Sequence, residues 1–167
     1  MTMSRILESV PRGLMAANNL AFSGLVFLKG WDETHVHNPH WPPHARFHSG
    51  QCMSFGAMAS LTATYLLHRR EPAGEAAERD SLLLAAIVGS LTTASGLTAL
   101  LYPGSRWADP EWDNGKLMGP QGWFYLGQLV LNWALYLMER TRMAAAAAAD
   151  KDKGAGEGAA SPKAEKQ

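Results

Sequence analysis

Cysteine is nearly missing: Cys52 is the only one among 167 residues. An intrachain disulfide needs two thiols and a thiolate-rich zinc site needs more, so both are excluded. Net charge is missing as well, since 15 basic residues balance 15 acidic ones. Proteins that grip nucleic-acid backbones carry a basic surplus, so no nucleic-acid partner is expected. A small-x-small cleavage site after the first apolar run is also absent, and that run reads as a helix that stays in the chain. By length the chain is one domain.

The most telling shortage is local. Four long stretches hold no Asp, Glu, Lys or Arg: Gly13–Leu28, Phe47–Leu67, Ser81–Ser105 and Leu117–Met138. About 20 apolar residues cross the hydrocarbon core of a bilayer. A charge at the centre costs ~2.5–3.5 kcal/mol, which is why charges should stop at the ends of such runs. The mean hydropathy of −0.15 hides these runs, because a polar tail and two charged loops dilute them. A soluble four-helix bundle would carry Glu and Lys every third or fourth residue along its helices, and these four do not. The expected fold is all-α, an up-down four-helix transmembrane bundle spanning residues 1–143. Its helices are expected at about 10–30, 43–68, 81–104 and 118–140. Residues 144–167, alanine-rich and then low in complexity, are expected to form a disordered cytoplasmic tail.

Trp31, Trp41, Trp107, Trp112 and Trp123 gather near one set of helix ends, as interfacial anchors do. Arg5, Arg12, Arg69, Arg70, Arg79, Arg140 and Arg142 collect on the other side, against Lys29, Arg46, Arg106 and Lys116 on the first. The positive-inside rule then puts both termini in the cytoplasm. The alanine-rich composition points to a bacterial inner membrane, with the lipid bilayer as the main partner.

Five of the six histidines lie within the 21 residues from Trp31 to Gln51. Pro42 and Pro43 divide this segment, because proline suits the first turn of a helix. His44 and His48 then stand at i and i+4 on one helix face, a spacing that can put two imidazoles on one metal ion. Asp32, Glu33, His35, His37 and His40 are candidates for a third ligand, and Gln51 and Cys52 lie one turn deeper. Histidine and carboxylate without thiolate suit zinc, iron, manganese or copper and do not choose among them. Two other readings stand beside a divalent metal: interfacial histidines that bond loop backbone and head groups, and acid–base chemistry without a metal. The second loop, Asp109-Pro110-Glu111-Trp112-Asp113-Asn114, ends on the same face of an antiparallel bundle. Asp109 is therefore a candidate partner for the histidines, or else a turn residue. Haem held by two facing histidines is not expected, because the first, third and fourth helices contain none.

Inside the apolar runs, Gln121, Tyr125, Gln128, Asn132 and Tyr136 repeat at helical spacing, and the first run holds Asn18, Asn19 and Ser23. Amides in hydrocarbon are costly unless bonded, so these residues should face inward. Asn18, Asn19, Gln51, Gln128 and Asn132 could line a polar pocket below the outer loops, or serve as glue between helices. Gly56-Ser60-Thr64 and Gly89-Thr93-Gly96 read as positions of close helix packing.

The segment His35-x-x-Asn38-Pro39-x-Trp41-Pro42-Pro43-His44-Ala45-Arg46-Phe47-His48-x-x-Gln51 resembles a family of small four-helix membrane proteins of unknown function. The family pattern coincides at His35, Asn38, Trp41, His44, Arg46, His48 and Gln51, whereas His37 and His40 fall off it. The resemblance implies His35, His44 and His48 as the functional set and implies no reaction. The expected function is a membrane protein with a His/carboxylate site at the outer face. It would be a metal-dependent enzyme acting on a lipophilic small molecule, with metal ligands His35, His44 and His48 and with Asp32 or Asp109 as a further ligand or general base. The alternative is a non-catalytic membrane subunit or ligand-binding protein with structural histidines. No internal repeat or broken helix points to a transporter.

Overall fold

The computed structural model describes residues 10–69 and 74–159, with the backbone alone for 153–159. The described residues form four α-helices and no strand. These are α1 (Val10–Gly30), α2 (Pro43–His68), α3 (Glu75–Ala99) and α4 (Pro120–Ala159). Each helix packs against the two beside it, α1 on α2, α2 on α3, α3 on α4 and α4 back on α1. The result is an up-and-down ring with two ends. One end carries the loops after α1 and α3, and the other carries the starts of α1 and α3.

Local chemistry explains the helix bounds. Pro43 opens α2 with Pro42 as its extended N-cap, where the missing N–H has no partner to lose. α3 begins at Glu75, six residues before the charge-free run. Glu75 and Glu78 in its first turn suit the positive end of the helix dipole, and Arg79 pairs with Glu75 one turn on. α4 continues through the alanines to Ala159, over part of the stretch expected as a tail from residue 144. Alanine has the highest helix propensity, and nothing between Met143 and Ala159 removes a backbone N–H. Arg5, Arg70 and the tail beyond Ala159 lie outside the described residues.

The bundle has a polar middle and an apolar outside. Asn19, Ser90, Thr93, Gln128 and Asn132 are buried, while Leu25, Phe55, Met58, Leu61, Leu84, Ile87, Leu91, Val130, Leu131 and Leu137 are exposed. Among the described residues one helix, α3, is long and apolar enough by length and composition to cross a membrane. An apolar cluster of Met15, Ala16, Leu67, Leu82, Ala85, Ala86, Leu135, Tyr136 and Met143 fills the ring toward the end where α1 starts. Close approach to the polar middle relies on glycine. A Cβ at Gly89 would lie 2.6 Å from Asn19 Nδ2.

An ion-pair cluster closes that end. Glu139 is fully buried, and its Oε1 accepts from Arg12 Nε at 2.6 Å and from Arg142 at 2.8 Å. Its Oε2 takes a second Arg142 bond at 2.8 Å. Arg12 also donates to the Leu67 carbonyl and lies 3.7 Å from Glu78, so one guanidinium reaches all three of the other helices.

Candidate functional site

At the loop end, the motif residues divide into those that hold the loop and those left open. Asn38 is buried and fully bonded. Its Nδ2 donates to Asp109 Oδ2 at 3.1 Å, its Oδ1 accepts from the His40 amide at 2.8 Å, and its carbonyl accepts from Arg46 at 2.8 Å. Trp41 Nε1 donates to the same Asp109 Oδ2 at 2.7 Å. Asp109 therefore ties the loop after α3 to the loop after α1, and its Oδ2 is committed to this tie. Asn38, Trp41 and Arg46 are the architectural half of the motif.

The other half comprises His35, His44, His48 and Gln51. His44 and His48 sit on successive turns at the start of α2, with their Nε2 atoms 3.0 Å apart. Gln51 Oε1 lies 3.1 Å from His48 Nδ1, one turn deeper. An amide oxygen only accepts, so Gln51 keeps the proton on His48 Nδ1 and leaves His48 Nε2 with a lone pair aimed at His44. Two Nε2 atoms that far apart, each ~2.0–2.1 Å from one ion, subtend about 95° at the metal, within the range that metal sites use. Phe47 stacks beside His44 and is exposed. The pair looks out from the bundle: the buried face of α2 carries Met53, Gly56, Ser60 and Ala63 instead.

His35 belongs to a separate arrangement. Asp32 Oδ1 accepts from the Thr34 amide at 2.8 Å and from its hydroxyl at 2.5 Å. With that proton given to Asp32, Thr34 Oγ1 accepts from His35 Nδ1 at 2.7 Å. The chain Asp32–Thr34–His35 thus fixes the proton on Nδ1 and frees His35 Nε2. The Thr34 hydroxyl, with help from the Thr34 amide and the neighbouring His35 and Lys29, holds the Asp32 carboxyl below its ordinary value of 3.8. The His35 ring packs edge-on against Trp41, which Asp109 anchors. Among the described residues, no three of His, Cys, Asp and Glu come together as a metal-binding group. The structure therefore brings His44 and His48 together, keeps His35 apart from them, and gives Asp109 to architecture. His37 packs edge-on against Trp31, and Cys52 is exposed.

The polar residues of the middle layer mostly satisfy one another. Asn132 Nδ2 donates to the Ala86 carbonyl at 2.9 Å and to Ser90 Oγ at 3.0 Å. Asn19 Nδ2 donates to Asn132 Oδ1 at 3.2 Å, and Gln128 Nε2 donates to Asn19 Oδ1 at 2.8 Å. Asn18 reaches the Gln128 carbonyl at 3.4 Å. Gln51 stays at the loop end with His48, so the five residues expected in one pocket split between two places. Sequence reasoning passed over two features. One is Thr34, whose place between Asp32 and His35 in the chain is the available signal. The other is the Arg12–Glu139 pair, signalled by opposite charges at the same level of two antiparallel runs.

Residues 15–150 match the model of a family described as a family of unknown function, DUF6640. No curated protein and no solved structure matches the chain.

Proposed function

We propose that this chain, which belongs to the DUF6640 family of unknown function, is a multi-pass membrane protein whose His44–His48 pair holds a divalent metal ion at the outer face. The membrane part of this reading is supported by the inverted surface. Large apolar side chains are exposed on all four helices, while the amides are buried and bonded to one another. In water that distribution exposes what should be hidden; in hydrocarbon it satisfies every helix. The basic residues near the starts of α1 and α3 favour both termini in the cytoplasm and the histidines outside.

The single observation that carries the metal reading is the 3.0 Å approach of two Nε2 atoms, with Gln51 fixing one tautomer. Two protein ligands leave positions open for the polar end of a lipophilic small molecule, and an open metal acts there as a Lewis acid. His35 Nε2, freed by Asp32 and Thr34, is a base at the same end of the bundle. Elemental analysis of the purified protein tests this reading. The expected result is bound zinc, iron, manganese or copper near one per chain, lost in His44→Ala/His48→Ala and kept in His35→Ala. Metal far below that level in the wild type, or unchanged in the double variant, overturns it.

A second reading, a non-catalytic membrane subunit with interfacial histidines, is favoured by one observation. The pair faces away from the bundle, and no third histidine, cysteine or carboxylate joins it among the described residues. Under that reading the double variant has the metal content of the wild type.

A further inference from the structure

We infer that two copies of the chain dock through the exposed face of α2, so that their two His44–His48 pairs meet and build one centre of two metal ions. The inference rests on the reading of that pair as a metal site in a membrane chain, and it names the partner of that site.

The argument starts from what one copy lacks. Catalytic zinc sites use three protein ligands and structural ones four. The pair supplies two, and among the described residues no third histidine, cysteine or carboxylate joins it. His35 is held apart by Thr34 and Trp41, and Asp109 is taken by Asn38 and Trp41. His68 ends α2 on the opposite side of the bundle. The missing ligand must therefore come from outside the chain. Where two ions lie about 3.5–4 Å apart, one water oxygen can bridge them and serve as a ligand to both. A bridge of that kind needs a second ion, and a second ion needs a second pair of imidazoles. Another copy of the chain brings that pair.

α2 also carries the face on which the copies meet. Below the pair, Gln51, Phe55, Met58, Thr62 and Tyr65 continue its line at spacings of three and four, and all are exposed. That is the repeat of helices that pack side by side along their length. The face differs in chemistry from the outward faces of the other helices. The exposed residues of α1 from Gly13 to Leu28, and of α4 from Phe124 to Met138, are apolar or glycine. α3 exposes Ser95 and Thr98, but both hydroxyls bond carbonyls of their own helix. α2 exposes Gln51, Ser54 and Thr62 inside its charge-free run. Polar side chains turned to hydrocarbon are costly, and a second helix laid over them removes that cost. Copies inserted the same way round in one bilayer are related by a two-fold axis along its normal. α2 then meets α2 in parallel, and pair meets pair at one depth. Two ions for two chains keep the ratio of one per chain, and each ion keeps positions open for a small molecule.

Two measurements on the full chain in membranes test this. The first uses the single native cysteine. In a Cys52→Ala background, Phe55→Cys and Met58→Cys each place one thiol on the face, and Ile87→Cys places one on exposed α3 as a control. Iodine oxidation should give a covalent dimer at positions 55 and 58 and not at 87. No dimer at either α2 position means that lipid covers this face, and overturns the inference; so does equal dimer at position 87. The second co-expresses a wild-type chain with a His44→Ala/His48→Ala chain under different affinity tags and measures metal in the pairs that carry both tags. Independent sites would leave these mixed pairs with half the metal of wild-type pairs, whereas a shared centre should leave them well under half. Mixed pairs that fail to assemble while wild-type pairs do also support the inference, because the ions then hold the copies together. Mixed pairs with half the metal overturn it. Metal bound by a wild-type chain that never recovers a second copy overturns it too, and leaves the metal reading of the pair standing. A wild type without metal overturns both.

Discussion

Each end of the bundle is tied by one carboxylate, and the two ties are chemically unlike. Glu139 is wholly buried between two guanidinium groups, Arg12 and Arg142. Asp109 is half-buried and is held by two neutral donors, Asn38 Nδ2 and Trp41 Nε1. Charge against charge in a closed setting gives an all-or-none joint. Neutral donors on a partly open carboxylate give a joint that keeps its loops in shape while leaving nearby imidazoles exposed. The charged tie lies at the end away from the histidines, and the neutral one lies at the loop end with them.

The largest effect should come from breaking the charged tie. Arg12→Met removes the bonds to Glu139 and to the Leu67 carbonyl while Arg142 still holds Glu139, and should cost about 3 kcal/mol, the upper end for a charged hydrogen bond, read as a fall in unfolding midpoint of the solubilised protein. R12M/E139Q should recover part of that loss, because a buried carboxylate with one cation fewer gives way to a neutral amide. Asp109→Ala comes next, at about 1–3 kcal/mol, since it strands the Asn38 amide and the Trp41 indole. It should also change tryptophan emission, whereas Arg12→Met should not. If Asp109→Ala costs as much as Arg12→Met, the distinction between the two ties fails. Smaller still is His44→Ala/His48→Ala, expected within about 0.5 kcal/mol of wild type because both rings are exposed. A large loss of stability there would mean that the pair is architectural.

The smallest effect is confined to acid. The Asp32 carboxyl is held below its ordinary value of 3.8, chiefly by the Thr34 hydroxyl. Its contribution to the loop is therefore fully present above that ordinary value and is lost as pH falls through the depressed one. NMR of the His35 imidazole nitrogens should show the Thr34 contact disappearing only in that acid range, and Asp32→Asn should remove the step. A step near neutral pH that persists in Asp32→Asn would place its origin elsewhere.

Much of the fold was legible from the placement of charge. Four charge-free runs gave four helices, and Pro42-Pro43 marked where α2 opens. Period and spacing also put Gln128, Asn132 and Tyr136 on one face, and all three are buried. The ends of α3 and α4 were harder to read, because Glu75–Asp80 and the alanines after Met143 form helix by propensity and capping without an apolar face. The histidine site was legible in part. The i, i+4 rule applies within a helix and therefore located His44 and His48. The position of His35 depends on how an irregular loop folds back, and that is decided by Asn38 and Asp109, 71 residues apart in the chain. No local pattern carries that information. The direction of the amide series was equally hidden, because it is set by a backbone carbonyl at Ala86, where the side chain says nothing.

That direction has a consequence for the whole amide layer. The amides behave as a row of coupled two-way switches, all thrown by the Ala86 carbonyl at one end. If α3 slid far enough to withdraw that carbonyl and Ser90, the row would be free to invert. Gln128 would then turn an N–H where it now turns an oxygen. A shift on one side of the ring would thus reverse the polarity of the amide layer on the other, with no residue replaced.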